Sequence, residues 1–232
     1  MASRTRGALL TSTGLMSDSS QNTIIDAREV AQALEKAFPS APIAWEENLS
    51  PSAQHAIVLD PAHALACAQW LKNDSPWQWD FLSNVTGVDW TDEALALQAK
   101  ARIKADPSID PESLPKEGYL EAVYHLYSIN KGLGPLVLRL RTANRKNDVS
   151  LPSLTPVWRS AEFQEREIFD LFGIVFEGHP DMRRIMMWDD FEGHPMRKDF
   201  VEADDYEYEP TPHDAVLKRC QERFADPANR RQ

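Results

Sequence analysis

The chain has 232 residues, of which 42% are hydrophobic and 26% charged, enough for one folded domain with extensions. Its formal net charge of −11 argues against binding to nucleic acid or to anionic lipid. No apolar run approaches the roughly 18 residues of a membrane-spanning helix, so membrane association is expected to go through partner proteins. Cys67 and Cys220 form no C-x-x-C pair, so the chain alone is not expected to hold an iron–sulfur cluster.

Composition and helix signals divide the N-terminal part of the chain into a polar segment and the beginning of a folded domain. Residues 1–22 are small and polar, which is typical of a disordered N-terminus or of a mitochondrial presequence. An α+β domain is predicted from residue 23 to residue 176. Asp26, with Glu29 three residues later, predicts the capped start of a first helix, which Pro39 ends.

A strand and a second helix follow. Residues 54–59 predict the strand, and Asp60 before Pro61 predicts the capped start of the helix. The expected apolar stripe of this helix is Ala64, Leu65, Ala68 and Leu71. His63 and Cys67 have a spacing that can bind a metal, but no third ligand lies near them in sequence, which favours a structural role.

Three further strands are predicted at residues 85–90, 119–129 and 136–141. In the last of these, alternate leucines separate Val137, Arg139 and Arg141, which predicts one face in contact with solvent. Residues 91–118 are interpreted as a surface insert that begins with an amphipathic helix over 92–104. The predicted fold is α+β, with helices on one face of a mixed or antiparallel sheet of about four or five strands.

Residues 158–199, called here the signature segment, begin with a helix pattern. Ser160 is placed to cap this helix, and Gly173 follows its last apolar residue, where a C-terminal glycine is common. Arg166 has carboxylates four residues away on both sides, at Glu162 and Asp170, which predicts ion pairs with both. Residues 174–176 are long enough for one strand.

The second half of the signature segment contains a short repeat. Residues 177–184 read E-G-H-P-D-M-R-R, and residues 192–198 read E-G-H-P-M-R-K. In each copy a glycine permits a sharp turn, a proline stiffens its exit and two basic residues follow. The pattern predicts two irregular arms, each presenting a cationic pair, within an extended C-terminal docking segment over residues 177–232.

The sequence also offers candidate chemistry. It has neither a G-x-G-x-x-G nor a G-x-x-x-x-G-K motif for nucleotide binding. A stand-alone metal-dependent hydrolase is conceivable from His179, Asp181 and His194, helped by Asp189 and Asp190. The simpler interpretation is that each imidazole satisfies backbone groups of its own Gly-His-Pro turn, beside basic residues that repel a cation.

The signature segment resembles a known family. E-R-E-I-F-D-L-F-G-I-V-F-E-G-H-P-D-M-R-R-I-M, followed by D-D-F-E-G-H-P-M-R-K-D, is similar to the C subunit, of the 30-kDa type, of respiratory complex I. F-L-S-N-V-T-G-V-D-W at 81–90 and Y-H-L-Y-S at 124–128 extend the resemblance over roughly residues 80–200. The connection over 91–118 is longer than the family pattern.

The resemblance implies a role without catalysis in this chain. It implies a cofactor-free subunit of the peripheral arm of a proton-translocating NADH:quinone oxidoreductase, with FMN and iron–sulfur clusters in partner subunits. Neighbours would be the D subunit, of the 49-kDa type, and the ferredoxin-like I subunit, on the cytoplasmic side of a bacterial inner membrane or the matrix side of the mitochondrial one. A related membrane-bound hydrogenase, or a complex fed by another donor, shares the pattern and stays an alternative.

We expect the charged residues of the signature segment to form the subunit interface. Its basic members are expected to become buried and paired in the complex. The predicted interface residues are Glu165, Arg166, Glu167, Asp170, His179, Asp181, Arg183, Arg184, His194, Arg197 and Lys198.

Overall fold

A five-stranded mixed sheet forms the centre of the computed structural model, which describes residues 26–50, 52, 54–147 and 149–201. Its strands are β1 (Ile43–Glu46), β2 (Ala56–Leu59), β3 (Phe81–Trp90), β4 (Tyr119–Ser128) and β5 (Leu133–Arg141). They lie in the order β1-β2-β5-β4-β3. β2 and β5 run parallel, and the other neighbouring pairs are antiparallel.

Helices and a second, small sheet complete the described part of the chain. The helices are α1 (Ala27–Ala37), α2 (Pro61–Asn73), α3 (Asp92–Ala105) and α4 (Ala161–Phe172), with a 3-10 turn at Pro111–Ser113. The strands β6 (Ser150–Pro152) and β7 (Val175–Glu177) pair in parallel just before and just after α4. The acidic C-terminal tail lies outside the described residues, as do residues 1–22.

The first two helices begin where the sequence predicts. The Asp26 carboxylate accepts a hydrogen bond from the backbone N–H of Arg28 at 2.9 Å, and the Asp60 carboxylate accepts one from Ala62 at 3.1 Å. Each bond satisfies a backbone donor that has no partner within its own helix. Pro61 takes the first position of α2, where a missing N–H costs nothing.

One face of the sheet carries the main hydrophobic core. Alternate residues of β4 and β5 point toward α1, α2 and α4, as the two-residue period of a strand requires. Fully buried members of this core include Leu34, Leu71, Leu120, Tyr124, Leu138 and Leu140. The predicted α+β fold with a mixed sheet is confirmed; α1, α2 and α4 lie on this face, whereas α3 lies beside the second face.

Some local predictions were wrong. The edge strand β1 was not predicted, and β3 begins at Phe81, four residues before the predicted start at Val85. In α2, Leu65 is exposed whereas Cys67 is buried. Leu65 lies about 100° around the helix from Ala64, which turns it away from the core that Ala64, Cys67 and Leu71 contact.

The predicted solvent face of β5 is in fact largely covered. Arg139 and Arg141 are each 20% exposed, because Glu121 of β4 and Glu46 of β1 lie beside them on this second face of the sheet. Arg102 of α3 lies 3.7 Å from Glu46. The predicted helix over 92–104 therefore forms as α3 and partly closes a charged layer.

Helix α4 lies directly against β3 at a glycine. A Cβ atom added to Gly87 would lie 2.5 Å from Cδ2 of the Phe172 ring. We expect Gly87→Val to lower the free energy of unfolding by about 1–3 kcal/mol, since overpacking forces neighbours apart although valine favours strands. Urea denaturation of the full chain would measure the change.

Thr86→Val is the matched control, because Thr86 is an exposed neighbour of Gly87 on the same strand. This variant should leave the unfolding midpoint nearly unchanged. Equal midpoints for Gly87→Val and the parent chain would contradict the close packing of α4 on β3.

Candidate subunit interface

The two Gly-His-Pro turns of the signature segment fold back onto α4. Gly178 and Gly193 have φ angles of 80° and 86°, the left-handed region that favours glycine. Nδ1 of His179 accepts a hydrogen bond from the Asp181 N–H at 3.0 Å, so Nε2 carries the proton and donates to the carbonyl oxygen of Glu162 at 2.9 Å. In the second turn, Nδ1 of His194 lies 2.9 Å from the carbonyl oxygen of Asp170. Both imidazoles thus satisfy backbone groups.

Asp170 fixes the chain that follows the first turn. Its Oδ2 accepts the backbone N–H groups of Ile185, Met186 and Met187 at 3.0, 2.7 and 2.8 Å. Its Oδ1 accepts a hydrogen bond from Arg184 at 2.6 Å. Burial alone would raise the pKa of Asp170, but these donors outweigh burial and hold the pKa below its usual value. The loop is therefore attached through an ionised, fully buried carboxylate.

Arg166 does not form the predicted ion pairs with Glu162 and Asp170. Its guanidinium donates to the carbonyl oxygens of Arg183 and Arg184, at 3.2 Å each. Asp170 is engaged by Arg184 and by backbone N–H groups, which leaves no place for Arg166. The helical spacing put the charges close together, but a loop distant in sequence supplied the partners.

Glu165 is buried and joins α4 to two other elements. It accepts hydrogen bonds from Tyr124 at 3.2 Å, the Ser153 hydroxyl at 2.6 Å, the Leu154 N–H at 2.8 Å and Thr155 at 3.0 Å. Burial raises the pKa of Glu165, while the bonds from Ser153, Leu154 and Thr155 act in the opposite direction. These contacts connect α4 to β4 and to the loop over residues 153–155.

The ends of α4 were predicted with mixed success. Gly173 adopts φ 79° and donates its N–H to the carbonyl oxygen of Phe169, as a C-terminal glycine should. Ser160 occupies the N-terminal position but makes no cap with its side chain. Its hydroxyl donates instead to the carbonyl oxygen of Leu82 at 3.0 Å, because β3 lies within reach.

A second buried carboxylate holds the second arm, and sequence reasoning missed it. Asp89 of β3 accepts two hydrogen bonds from Arg145, at 2.6 and 2.7 Å, and one from the backbone N–H of Lys198 at 2.7 Å. Arg197 donates to the carbonyl oxygen of Arg145. Burial alone would raise the pKa of Asp89, but Arg145 and the Lys198 N–H hold it below the usual value. The signal that could have revealed Asp89 is its position as a charged residue inside a pattern typical of a strand.

The predicted cationic pairs are each divided between inside and outside. In the first arm, Arg184 turns inward to Asp170, whereas Arg183 is 71% exposed and lies 2.9 Å from Asp181. In the second arm, Arg197 is mostly covered and Lys198 is exposed. The arms therefore present one cation each, because the other one is used to fix the backbone.

Large apolar side chains lie on the outer surface of the same segment. They are between 38% and 61% exposed, and we call them the apolar patch: Phe163, Val175, Ile185, Met186, Trp188 and Met196. The Arg166 guanidinium lies 5.8 Å from the Phe163 ring centroid and also holds the backbone just before Ile185. Such a concentration of exposed apolar side chains is typical of a surface that a partner covers.

The described residues bring no three histidine, cysteine, aspartate or glutamate side chains together as metal ligands. His63 lies 2.9 Å from Asp60, three residues before it, and Cys67 is buried in the core. His179 and His194 use ring nitrogens for backbone contacts. In both turns the imidazole therefore contacts a carbonyl oxygen of α4.

Replacement of Asp170 tests how the first arm is held. In Asp170→Asn the amide would present N–H hydrogens to one set of donors, so Arg184 or the loop amides lose their acceptor. We expect hydrogen exchange at the amides of Ile185, Met186 and Met187 to accelerate at least about tenfold, since bonds to a charged group contribute about 1.5–3 kcal/mol. Exchange measured by NMR or mass spectrometry would report this.

Glu167→Gln is the control, because it removes an exposed carboxylate from the same helix.

Low pH should have the same effect as Asp170→Asn, because protonation removes the charge of the carboxylate. The folded pKa of Asp170 is depressed, so its contribution is complete above the ordinary aspartate pKa of about 3.9 and is lost as pH falls through the folded value. Unchanged protection of these amides in Asp170→Asn would contradict this account.

Comparison with known proteins places this geometry in a family. The family model "Respiratory-chain NADH dehydrogenase, 30 Kd subunit" matches residues 57–206. The NADH-quinone oxidoreductase C subunit of Salinispora arenicola is 37% identical over 162 residues, which are 70% of this chain and 56% of that protein. The corresponding C 2 subunit of Rhizobium etli is 39% identical over 56% of this chain and 54% of its own length. The chain thus spans little more than half of these curated relatives.

Two further comparisons concern fusion and fold. The NADH-quinone oxidoreductase C/D subunit of Phocaeicola vulgatus is 39% identical over 48% of this chain and 16% of that protein. A chain in the structure of the membrane-bound sulfane sulfur reductase, an archaeal respiratory membrane complex, superposes with a TM-score of 0.51 at 20% identity. The superposition covers 86% of this chain and 92% of that one, and it shows a shared fold.

Among the described helices, none combines the length and the apolar character needed to cross a bilayer. The arms held by Asp170 and Asp89 lie within the region that the family model covers. Because that match extends over more than half of the sequence, the chain belongs to the family of the 30 kDa subunit of respiratory-chain NADH dehydrogenase.

Proposed function

We propose that this chain is a structural subunit, without its own cofactor, of the peripheral arm of an NADH:quinone oxidoreductase. There it would brace the quinone-reducing module during electron transfer coupled to proton translocation. The observation that carries the proposal is the apolar patch, which lies on a backbone fixed by buried hydrogen bonds. The relatives, which are named as C subunits of NADH-quinone oxidoreductase, support the same assignment.

A fixed backbone makes the patch suitable for docking. Asp170 binds three consecutive amides on one side, and Asp89 holds the second arm on the other. Side chains on a backbone that is already ordered lose less conformational entropy when a partner covers them. Exposed Phe163 and Met186 can then act as anchors, because buried aromatic and methionine side chains are enriched at the centre of interfaces.

The predicted interface residues divide into two groups under this proposal. The exposed charges Glu167, Arg183 and Lys198, with the half-exposed Asp181, would meet the partner directly. The other members would act indirectly, by fixing the backbone that carries the patch: Glu165, Arg166, Asp170, His179, Arg184, His194 and Arg197.

The proposed partners are the 49-kDa-type D subunit and the ferredoxin-like I subunit, with FMN and iron–sulfur clusters in partner subunits. A polypeptide of Phocaeicola vulgatus that is named as a combined C/D subunit supports the neighbourhood of the two. The proposed location is peripheral, on the cytoplasmic side of a bacterial inner membrane or, as an alternative, on the matrix side of the mitochondrial one. Attachment there would go through these partners.

The electron donor is a separate question. The same fold occurs in a chain of the archaeal sulfane sulfur reductase complex, so the fold by itself does not identify the respiratory complex to which a chain belongs. A related hydrogenase or other-donor complex would place this chain beside different input subunits. Mass spectrometry of the subunits that co-purify from gently solubilised membranes, with an NADH:quinone assay on the eluate, decides between them.

Charge placed in the patch should block assembly. We expect Met186→Asp and Phe163→Asp to reduce recovery of cluster-bearing subunits in a pull-down of the tagged chain by about tenfold or more, since a buried unpaired carboxylate strongly disfavours binding. Leu97→Asp is the matched control, because Leu97 is an exposed apolar residue of α3 outside the signature segment.

The readout separates docking from folding. Circular dichroism of the three variants should match that of the parent chain, because all three positions are exposed. Full recovery of the partner subunits with both patch variants, or equal loss with Leu97→Asp, would exclude the patch as the docking surface.

A further inference from the structure

The two edges of the five-stranded sheet are protected differently. β3 forms one edge, and α4 covers it: Gln164 accepts the backbone N–H of Val85 at 2.5 Å, and the Ser160 hydroxyl donates to the carbonyl oxygen of Leu82 at 3.0 Å. β1 forms the other edge, and within the described part of the chain no strand pairs with its outer side. An open edge presents backbone groups to which another extended segment can bind.

The hydrogen-bond register identifies which groups of β1 point outward. β1 and β2 are antiparallel, and just before β1 the carbonyl oxygen of Pro42 accepts the N–H of Asp60 at 3.3 Å. Residues that bond to the neighbouring strand alternate with residues that point away from it. The even-numbered residues of β1 therefore bond to β2, whereas Ile43 and Trp45 direct their backbone N–H and C=O groups away from the sheet.

A cavity of about 510 Å³ lies beside the C-terminal end of β1, within the range of roughly 300–1,000 Å³ for sites that bind ligands. Trp45 and Leu49 line it, as do Arg28 of α1 and Ile109 beyond α3. Its walls thus come from both faces of the sheet, because α1 packs on the main core and α3 lies beside the second face. The cavity therefore extends around the outer edge of β1.

The charged side chains of the cavity are two cations and three anions: Arg28, Arg102, Glu46, Glu47 and Asp106. Arg102 lies 3.7 Å from Glu46, so these two charges offset each other. The exposed Glu47 and Asp106 then exceed Arg28 by one negative charge. A segment with a positive charge is complementary to such a cavity.

We propose that residues 1–25 of this chain add a strand to the outer edge of β1 and fill the cavity. These residues lie outside the described ones and lead directly into Asp26, which begins α1, so their end is close to the cavity residue Arg28. Their longest apolar run is residues 8–10, which read A-L-L and follow Arg4 and Arg6.

The handedness of strand connections gives the direction of the added strand. β2 and β3 run in the same direction and are joined through α2, an arrangement that is normally right-handed. α1 lies on the same face as α2, but β1 runs opposite to β2. A strand outside β1 that ran parallel to it and entered α1 directly would therefore be left-handed. We expect the added strand to run antiparallel to β1 and to return to α1 through a connection.

This direction agrees with the charges and with the length of the segment. A strand that begins near Ala8 and runs antiparallel to β1 places Arg4 and Arg6 beyond the C-terminal end of β1, where Glu47 lies. Four residues of a strand span about 13 Å. Residues 12–25 are more than enough to cover the same distance back to α1.

Exchange of individual backbone amides, measured by NMR on the full chain, tests the proposal. We expect the amides of Ile43 and Trp45 to be protected, as they would be inside a sheet. Deletion of residues 2–20 should accelerate their exchange at least about tenfold, because their hydrogen-bond acceptors are removed. The amides of Ala44 and Glu46 are the internal control, since β2 holds them in both chains.

A point variant keeps the test decisive if the deletion lowers the stability of the fold. Leu9→Pro combined with Leu10→Pro removes two backbone donors from the added strand, so it should accelerate exchange at the same two amides of β1. Ser19→Pro combined with Ser20→Pro is the matched control, because it changes only the connection and should leave both amides protected.

Two results would overturn the proposal. One is fast exchange of Ile43 and Trp45 in the parent chain, which would mean that the edge is open. The other is protection that persists in both the deletion and the Leu9–Leu10 variant, which would assign the edge to another occupant, such as a second copy of the chain. Neither result bears on the role proposed for the signature segment, because β1 lies outside it.

Discussion

The buried carboxylate of Asp170 is the constraint on which the signature segment depends. Three consecutive backbone amides and one guanidinium converge on it, and they come from residues 184–187. An irregular loop has no strand or helix to satisfy its amides, so it needs such an acceptor to remain ordered near the surface. Because Asp170 lies on a helix packed into the core, the loop takes its position from the core.

The repeated Gly-His-Pro turns show that similar sequences can be held in different ways. His179 and His194 both contact carbonyl oxygens of α4, yet the chain beyond the first turn is attached to α4 through Asp170. Beyond the second turn it is attached to β3 through Asp89. One short motif thereby connects the segment to a helix and to the sheet, which spreads its support over two core elements.

Local signals predicted much of the fold, and long-range ones were the source of error. Asp26, Asp60 and Gly173 act on neighbours within a few residues, so their roles could be predicted from sequence. The partners of Arg166 and Asp170 come from a loop whose path no spacing rule describes. The same holds for Asp89, whose partners Arg145 and Lys198 are 56 and 109 positions away. Helical spacing therefore identified Arg166 and Asp170 as charged residues with close partners, but it did not identify those partners, and it gave no sign of Asp89.

The parallel pairing of β2 with β5 has a consequence for the order in which the strands can pair during folding. Ala56 and its neighbours pair with residues 137–140, whereas β3, β4 and β5 are antiparallel and follow one another in sequence. β1 and β2 have four residues each, too few for a stable hairpin alone. During synthesis the N-terminal pair must therefore wait until β5 has emerged, and the last strands to join the sheet are the first ones translated.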